Sequence, residues 1–141
     1  MQGDHCVEVM TDGEAGANFD AVRPYLERAA EFAPYDRIDW EQQRAKVARG
    51  DALLVEITHG GERVAVAFLE MVRGREGDCL SVRWLSGAGM GGWLALLWSG
   101  LQDIARAYGC KYVAVTGRPG WSRALRGLGF RDLFRIVQAE V

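Results

Sequence analysis

The stretch Ser86-Gly87-Ala88-Gly89-Met90-Gly91-Gly92-Trp93 carries the sharpest chemical signal in this chain. It follows the strand-like run Cys79–Leu85 and leads directly into an amphipathic helical pattern. A glycine-rich turn between a strand and a helix leaves backbone N–H groups free at the positive end of the helix, and phosphate is the usual guest of such a site. Four glycines within residues 87–92 exceed what a tight turn needs, so anion binding is favoured over a simple packing role. Arg118 is a second candidate, either as a contact to a ligand phosphate or as a strand-edge arginine in a surface ion pair. Arg123, Arg126, Arg131 and Arg135 share the same basic C-terminal stretch, whereas Asp4, Glu8, Asp12 and Glu14 make the first 17 residues acidic.

Two carboxylates have positions suited to proton transfer. Period-2 alternation puts Glu70 on the same strand face as Val64, Val66 and Phe68. A carboxylate at the end of such an apolar row is partly desolvated, which suits a base. Glu56 has the same ambiguity between a base and a strand-end charge reaching solvent. Trp84, Trp93, Trp98 and Trp121 surround the glycine turn in sequence, and core packing explains them better than a substrate slot. His5 and His59 are too few for a zinc site, so no metal is expected. The three cysteines, Cys6, Cys79 and Cys110, lack ligand spacing, and the last two read as small buried hydrophobes.

These residues need elements to position them. With 141 residues, 49 % hydrophobic and 26 % charged, the chain reads as one soluble α/β (α+β) domain. A formal charge of −2 argues against bulk electrostatic binding to nucleic acid or membrane. No leader or spanning segment is visible, since the apolar run Trp93–Trp98 is far too short, and a reduced cytoplasmic setting is expected. Cys6–Met10 alternates as a first strand, and residues 12–16 read as loop. Phe19, Val22, Leu26, Ala29 and Ala33 step by three and four, predicting a helix from about Asp20 to Phe32 with Pro24 in its first turn. Asp39-Trp-Glu-Gln42 has the form of a capping box and opens a helix to Arg49.

Ala52–Ile57, Arg63–Val72 and Cys79–Leu85, joined by short turns, predict an antiparallel meander. A helix over Gly92–Tyr108 places Leu94, Leu97, Trp98, Leu101, Ile104 and Tyr108 on one face. Lys111–Thr116 follows as a strand, Pro119–Leu128 as a short helix, and Phe130–Val141 as one or two closing strands. The expected order is β-α-α-β-β-β-α-β-α-β. The apolar tail (Leu133, Phe134, Ile136, Val137) suits pairing with the edge of a second copy.

That order, with Gly89-Met90-Gly91 before the long helix and Leu128-Gly129-Phe130 after the short one, resembles the GNAT N-acyltransferase superfamily across essentially the whole chain. The resemblance implies a single GNAT-like domain with a mixed, mostly antiparallel sheet. It implies acetyl-CoA as cosubstrate and a small-molecule or protein amine as acceptor. Ser86, Gly87, Ala88, Gly89, Met90, Gly91 and Gly92 would hold the pyrophosphate, with Arg118 as a further phosphate contact. Backbone near Val82 and Trp84 would bond the pantetheine arm in a gap beside Lys111–Thr116, and Glu70 would be the general base.

Two positions depart from the family pattern. Ser86 replaces a long polar residue at the loop entry, and Leu125 stands where many members place a proton-donating Tyr. Tyr108 and Tyr112 are the other candidate acids, Tyr108 at the wrong end of its helix. Thr116–Leu125 is also similar to small GNAT-like proteins of tailed bacteriophages. That resemblance implies an alternative, a catalytically lapsed protein that binds a virion partner.

Overall fold

The structure is a computed structural model that describes residues 4–31, 37–116, 119–133 and 139–140. Its elements are β1 (His5–Val9), α1 (Asp12–Ala17), α2 (Phe19–Ala30), α3 (Trp40–Arg49), β2 (Ala52–His59), β3 (Glu62–Val72), β4 (Cys79–Gly87), α4 (Met90–Ala107), β5 (Tyr112–Val115) and α5 (Pro119–Arg126). The five strands form one sheet in sequence order, antiparallel except for the parallel pair β4–β5.

Residues 12–16, expected as loop, are helical. Thr11 caps α1 by accepting from the Glu14 N–H at 3.2 Å, and its hydroxyl donates to Glu14 Oε1 at 2.9 Å. Local capping chemistry outweighs the glycines at 13 and 16. In α3 the Asp39 carboxylate accepts from both the Glu41 and Gln42 N–H groups, and no return bond from Gln42 is made among the described residues. The α2 helix starts at Phe19, so Pro24 falls in its second turn and leaves the Asp20 carbonyl without its amide donor. The Ala33 expectation and the expected helix end at Phe32 lie outside the described residues. So does most of the closing-strand expectation, and Phe130–Leu133 forms no strand.

Each sheet face buries its own core. On one, α4 covers Val55, Ile57, Ala67, Leu69, Leu80 and Val82. On the other, α1, α2 and α3 cover Leu54, Val66, Phe68 and Trp84 with Phe19, Val22, Leu26 and Val47. The inward row of α4 is Trp93, Leu97, Leu101 and Ala105, whereas Tyr108, expected on that face, is 49 % exposed at the helix end. Leu97 and Leu101 are inward as the sequence pattern placed them, Leu94, Trp98 and Ile104 pack partly buried against the same core, and Trp93 and Ala105 complete the row.

Two register slips reassign side chains. Ile57 pairs with Ala65 and Thr58 with Arg63, so Val64 is an extra residue, and it packs toward α4 rather than beside Glu70 as expected. Phe68 pairs with Trp84 and Leu69 with Val82, which makes Arg83 the extra residue of a bulge in β4. Leu80 and Val82 therefore face α4, while Trp84 faces α2 and α3. No helix among the described residues is long and apolar enough to cross a membrane.

Candidate active site

The β4 strand is built to part from its neighbour. Among the described residues it pairs with β5 over Cys79–Val82, opposite Tyr112–Val115, and the Thr116 N–H bonds the Val82 carbonyl at 3.1 Å. From Arg83 to Gly87 the strand stays registered with β3 on one side and has no β5 partner among the described residues on the other. The bulge at Arg83 sits at the point of separation. A bulge bends and twists its strand, and the stretch from here to the glycine turn, unpaired on the β5 side among the described residues, is termed the wedge. Tyr112–Val115 pairs with Cys79–Val82, so the gap that the family resemblance implies between these strands would begin past Val82.

The wedge opens toward the glycine turn. Gly87 lies so close to β3 that a Cβ there would strike the Ala65 side chain and the Val64 carbonyl. The Ala88 N–H bonds the Val64 carbonyl at 3.0 Å, and the Trp93 indole N–H holds the Ala88 carbonyl at 2.8 Å. Gly89 is the N-cap of α4 with φ of 71°, a left-handed conformation that favours glycine, and it offers no side chain to cap the helix. The N–H groups of Gly89, Met90 and Gly91 consequently have no acceptor among the described residues. A Cβ at Gly89 or Gly91 would meet nothing within 4 Å among the described residues, so the turn is not packed over at these two positions. An anion placed there meets free donors and the positive end of an 18-residue helix.

Not every expected loop residue lies on the loop. Ser86 belongs to β4, buried opposite Val66, while Gly87, Ala88, Gly89, Gly91 and Gly92 are exposed. Gly92 touches a residue that sequence reasoning left aside. A Cβ at Gly92 would sit 2.7 Å from His5 Cε1, and His5 stacks on His59 with ring centroids 4.3 Å apart. The start of β1 thus supports the first turn of α4. The capacity of a missing Cβ to admit an aromatic ring from a distant strand leaves no local sequence signal.

On the opposite sheet face, Glu70 lies beside the bulge. Its Oε1 accepts from Arg83 at 3.2 Å and from Lys46 of α3 at 3.5 Å, with the Glu70 side chain 21 % exposed. Neither contact uses Oε2. Glu70 shares its row with Val66 and Phe68, as expected, but its environment is a charge cluster rather than bare apolar surface. Glu56 is bonded by Arg63 at 3.0 Å.

Next to Glu70 the Arg83 guanidinium lies over the Trp84 ring at 4.3 Å, Trp84 meets Trp40 at 5.1 Å, and Arg23 lies over Trp40 at 5.8 Å. This guanidinium–indole–indole–guanidinium stack joins α2, α3 and β4. Trp40, Arg23 and Lys46 were not singled out by the sequence, because only the folded α2 and α3 bring them to β3 and β4.

The remaining candidates divide cleanly. Arg118 lies outside the described residues. Trp84 and Trp93 are buried core residues, and Trp121 meets Trp93 at 6.4 Å, which sets α5 beside the glycine turn. Leu125 is buried in α5 and has no proton to give. Tyr108 and Tyr112 are exposed, Tyr108 at the C-terminal end of α4 and Tyr112 opposite Cys79, so both lie at the far end of these elements from the glycine turn. Burial pushes the Cys79 thiol up, with Cys110 nearby adding to the effect, and burial likewise raises Cys110. Both sit at the closed end of the wedge. No cluster of three or more potential metal ligands occurs among the described residues.

No family model matches the sequence, and no curated protein does. Solved structures do match. The chain is similar to an aminoglycoside N-acetyltransferase in complex with CoA, at 11 % identity and a TM-score of 0.70, covering 99 % of this chain and 95 % of that one. It is similar to an aminoglycoside acetyltransferase from an uncultured soil metagenomic sample, at 16 % identity and a TM-score of 0.69, covering 98 % and 99 %. A possible acetyltransferase from Clostridium difficile 630 matches at 10 % identity and a TM-score of 0.65, covering 97 % of each chain. What is shared at these identities is the fold, a mixed five-stranded sheet flanked by helices in one domain.

Proposed function

We propose that this protein is a GNAT-like N-acyltransferase that moves an acetyl group from acetyl-CoA to a primary amine. The observation that carries this reading is the wedge between β4 and β5 leading into the uncapped N-terminus of α4. The residues fit the cosubstrate. The N–H groups of Gly89, Met90 and Gly91 would bond the pyrophosphate, with Arg118, proposed from the sequence alone, as a further contact. Backbone of β4 between Val82 and Ser86, released from β5, would bond the amides of the pantetheine arm. One of the structural matches is described as being in complex with CoA, which supports this fit.

In this reading the protein contributes position and electrostatics more than bond chemistry. The turn and β4 hold the thioester at the bulge, which converts a bimolecular encounter into an oriented one. A β4 N–H near Arg83 and Trp84 stabilises the oxyanion, a kind of contact worth about a hundredfold or more in rate. Glu70 Oε2, the oxygen not used by the ion pairs to Lys46 and Arg83, takes the proton from the incoming amine through an ordered water. The thiolate leaves without a donor from Leu125.

The buried Leu125 is the specific observation that favours a second reading, in which the protein binds acyl-CoA without turnover and acts through a protein partner. The virion partner belongs to that reading and rests on the sequence resemblance of Thr116–Leu125 alone. Thiol release from acetyl-CoA in the presence of primary amines separates the two. Amine-dependent release that falls at least tenfold in Glu70→Gln supports the enzyme. Saturable acetyl-CoA binding with no release for any amine supports the second reading.

A further inference from the structure

The similarity to aminoglycoside acetyltransferases invites a polycationic acceptor for this chain, and the face that would receive it argues otherwise. A polycation is recognised by carboxylates whose negative charge is not already paired with a cation of the protein. Beside the bulge, Glu70 Oε1 already holds Arg83 and Lys46, and Glu27 holds Arg23 Nε at 3.2 Å. Glu56 is engaged by Arg63, and Asp20 and Glu41 are both engaged by Arg44. Asp39 is occupied in capping α3. Every one of these carboxylates on α2, α3, β2 and β3 therefore has a cation or a backbone donor on it.

The cations offer more. A guanidinium lying on an indole face uses its π surface there and keeps its in-plane N–H groups for a planar anion. Arg23 does this over Trp40, and only its Nε is bonded among the described residues, which leaves both terminal nitrogens available. Its side chain is 36 % exposed, so a ligand can reach it. Trp40 rests on Trp84, which directly follows the bulge where the reacting carbonyl would lie. The stack thus fixes Arg23 at the outer edge of the acceptor side.

We infer that Arg23 is a specificity-determining residue that selects a small primary amine bearing a carboxylate, an amino acid in chemical class. This rests on the acetyl-transfer reading above and names its acceptor. The anionic group bonds the terminal nitrogens of Arg23, and the amine points inward past Trp40 toward β4.

The test compares L-amino acids with their own carboxamides, which differ in charge at one group, and with the polycations sisomicin and spermidine. Acetyl-CoA affinity is measured alongside by calorimetry. The inference requires kcat/KM for the acids to exceed that for the amides by about tenfold or more. In Arg23→Gln this ratio should fall toward one through KM, with kcat and acetyl-CoA affinity unchanged, and Arg23→Lys should restore part of it. Preference for amides or polycations overturns the inference, as does an acid-to-amide ratio unaffected by Arg23→Gln. Tight acetyl-CoA binding without turnover of any acid also overturns it. Absence of acetyl-CoA binding is a different result, and it removes the acetyl-transfer reading itself.

Discussion

The two halves of β4 differ more from each other than either does from its neighbours. Over Cys79–Val82 the strand is paired on both sides, and Leu80 and Val82 are fully buried under α4. Over Arg83–Gly87 it keeps β3, has no β5 partner among the described residues, and ends in a turn whose N–H groups have no acceptor among those residues. One bulged residue divides a structural half from a half available for binding. The paired half should therefore govern stability with little effect on ligand affinity, and the open half the reverse.

Leu80→Ala removes a fully buried side chain between α4 and the sheet. It should cost about 2–5 kcal/mol in urea unfolding, and the folded fraction should bind acetyl-CoA as wild type does. Weakened binding by properly folded Leu80→Ala would blur the division. Gly87→Val tests the boundary, because its side chain has no room against Ala65 and the Val64 carbonyl. Overpacking there should cost about 1–3 kcal/mol, with a loss of affinity as the turn shifts.

Lys46→Met leaves Glu70 with Arg83 and frees part of its Oε1. In this partly exposed pair the stability change should stay near 1 kcal/mol or less, read from the urea midpoint, with acetyl-CoA affinity unaltered. The smallest effect is at the closed end. Burial raises the Cys79 thiol above its ordinary range, so less thiolate is present at a given pH. Its alkylation by iodoacetamide should accelerate only at higher pH than that of cysteine in a short peptide, and acetyl-CoA should not protect it. Protection would place ligand at the wrong end of the wedge.

Much of this arrangement was legible in the sequence because it depends on local rules. Alternation and turn chemistry gave the meander, and the strand–glycine–helix order located the free N–H groups. The Asp39 cap and the Gly50 stop of α3 are likewise local. The α1 helix was missed although Thr11 and Glu14 have capping-box spacing, because Gly13 and Gly16 read as loop. The bulges at Val64 and Arg83 have no sequence mark. A one-residue slip exchanges sheet faces, and so period-2 reasoning mis-sorted Val64. Contacts between distant segments, such as Trp40 on Trp84 and His5 on Gly92, follow only from the assembled sheet and helices.

The central claim is that the turn opening α4 is the phosphate end of an acyl-CoA site. Gly91 is the place to test it, since a side chain there meets open space and strains no backbone. Calorimetric titration of wild type with acetyl-CoA and with CoA should show micromolar binding, about −8 kcal/mol. Gly91→Glu should set a carboxylate against the pyrophosphate and abolish the heat, while its circular dichroism and unfolding midpoint match wild type. Failure of folded wild type to bind at millimolar ligand, or undiminished binding by Gly91→Glu, would contradict the account.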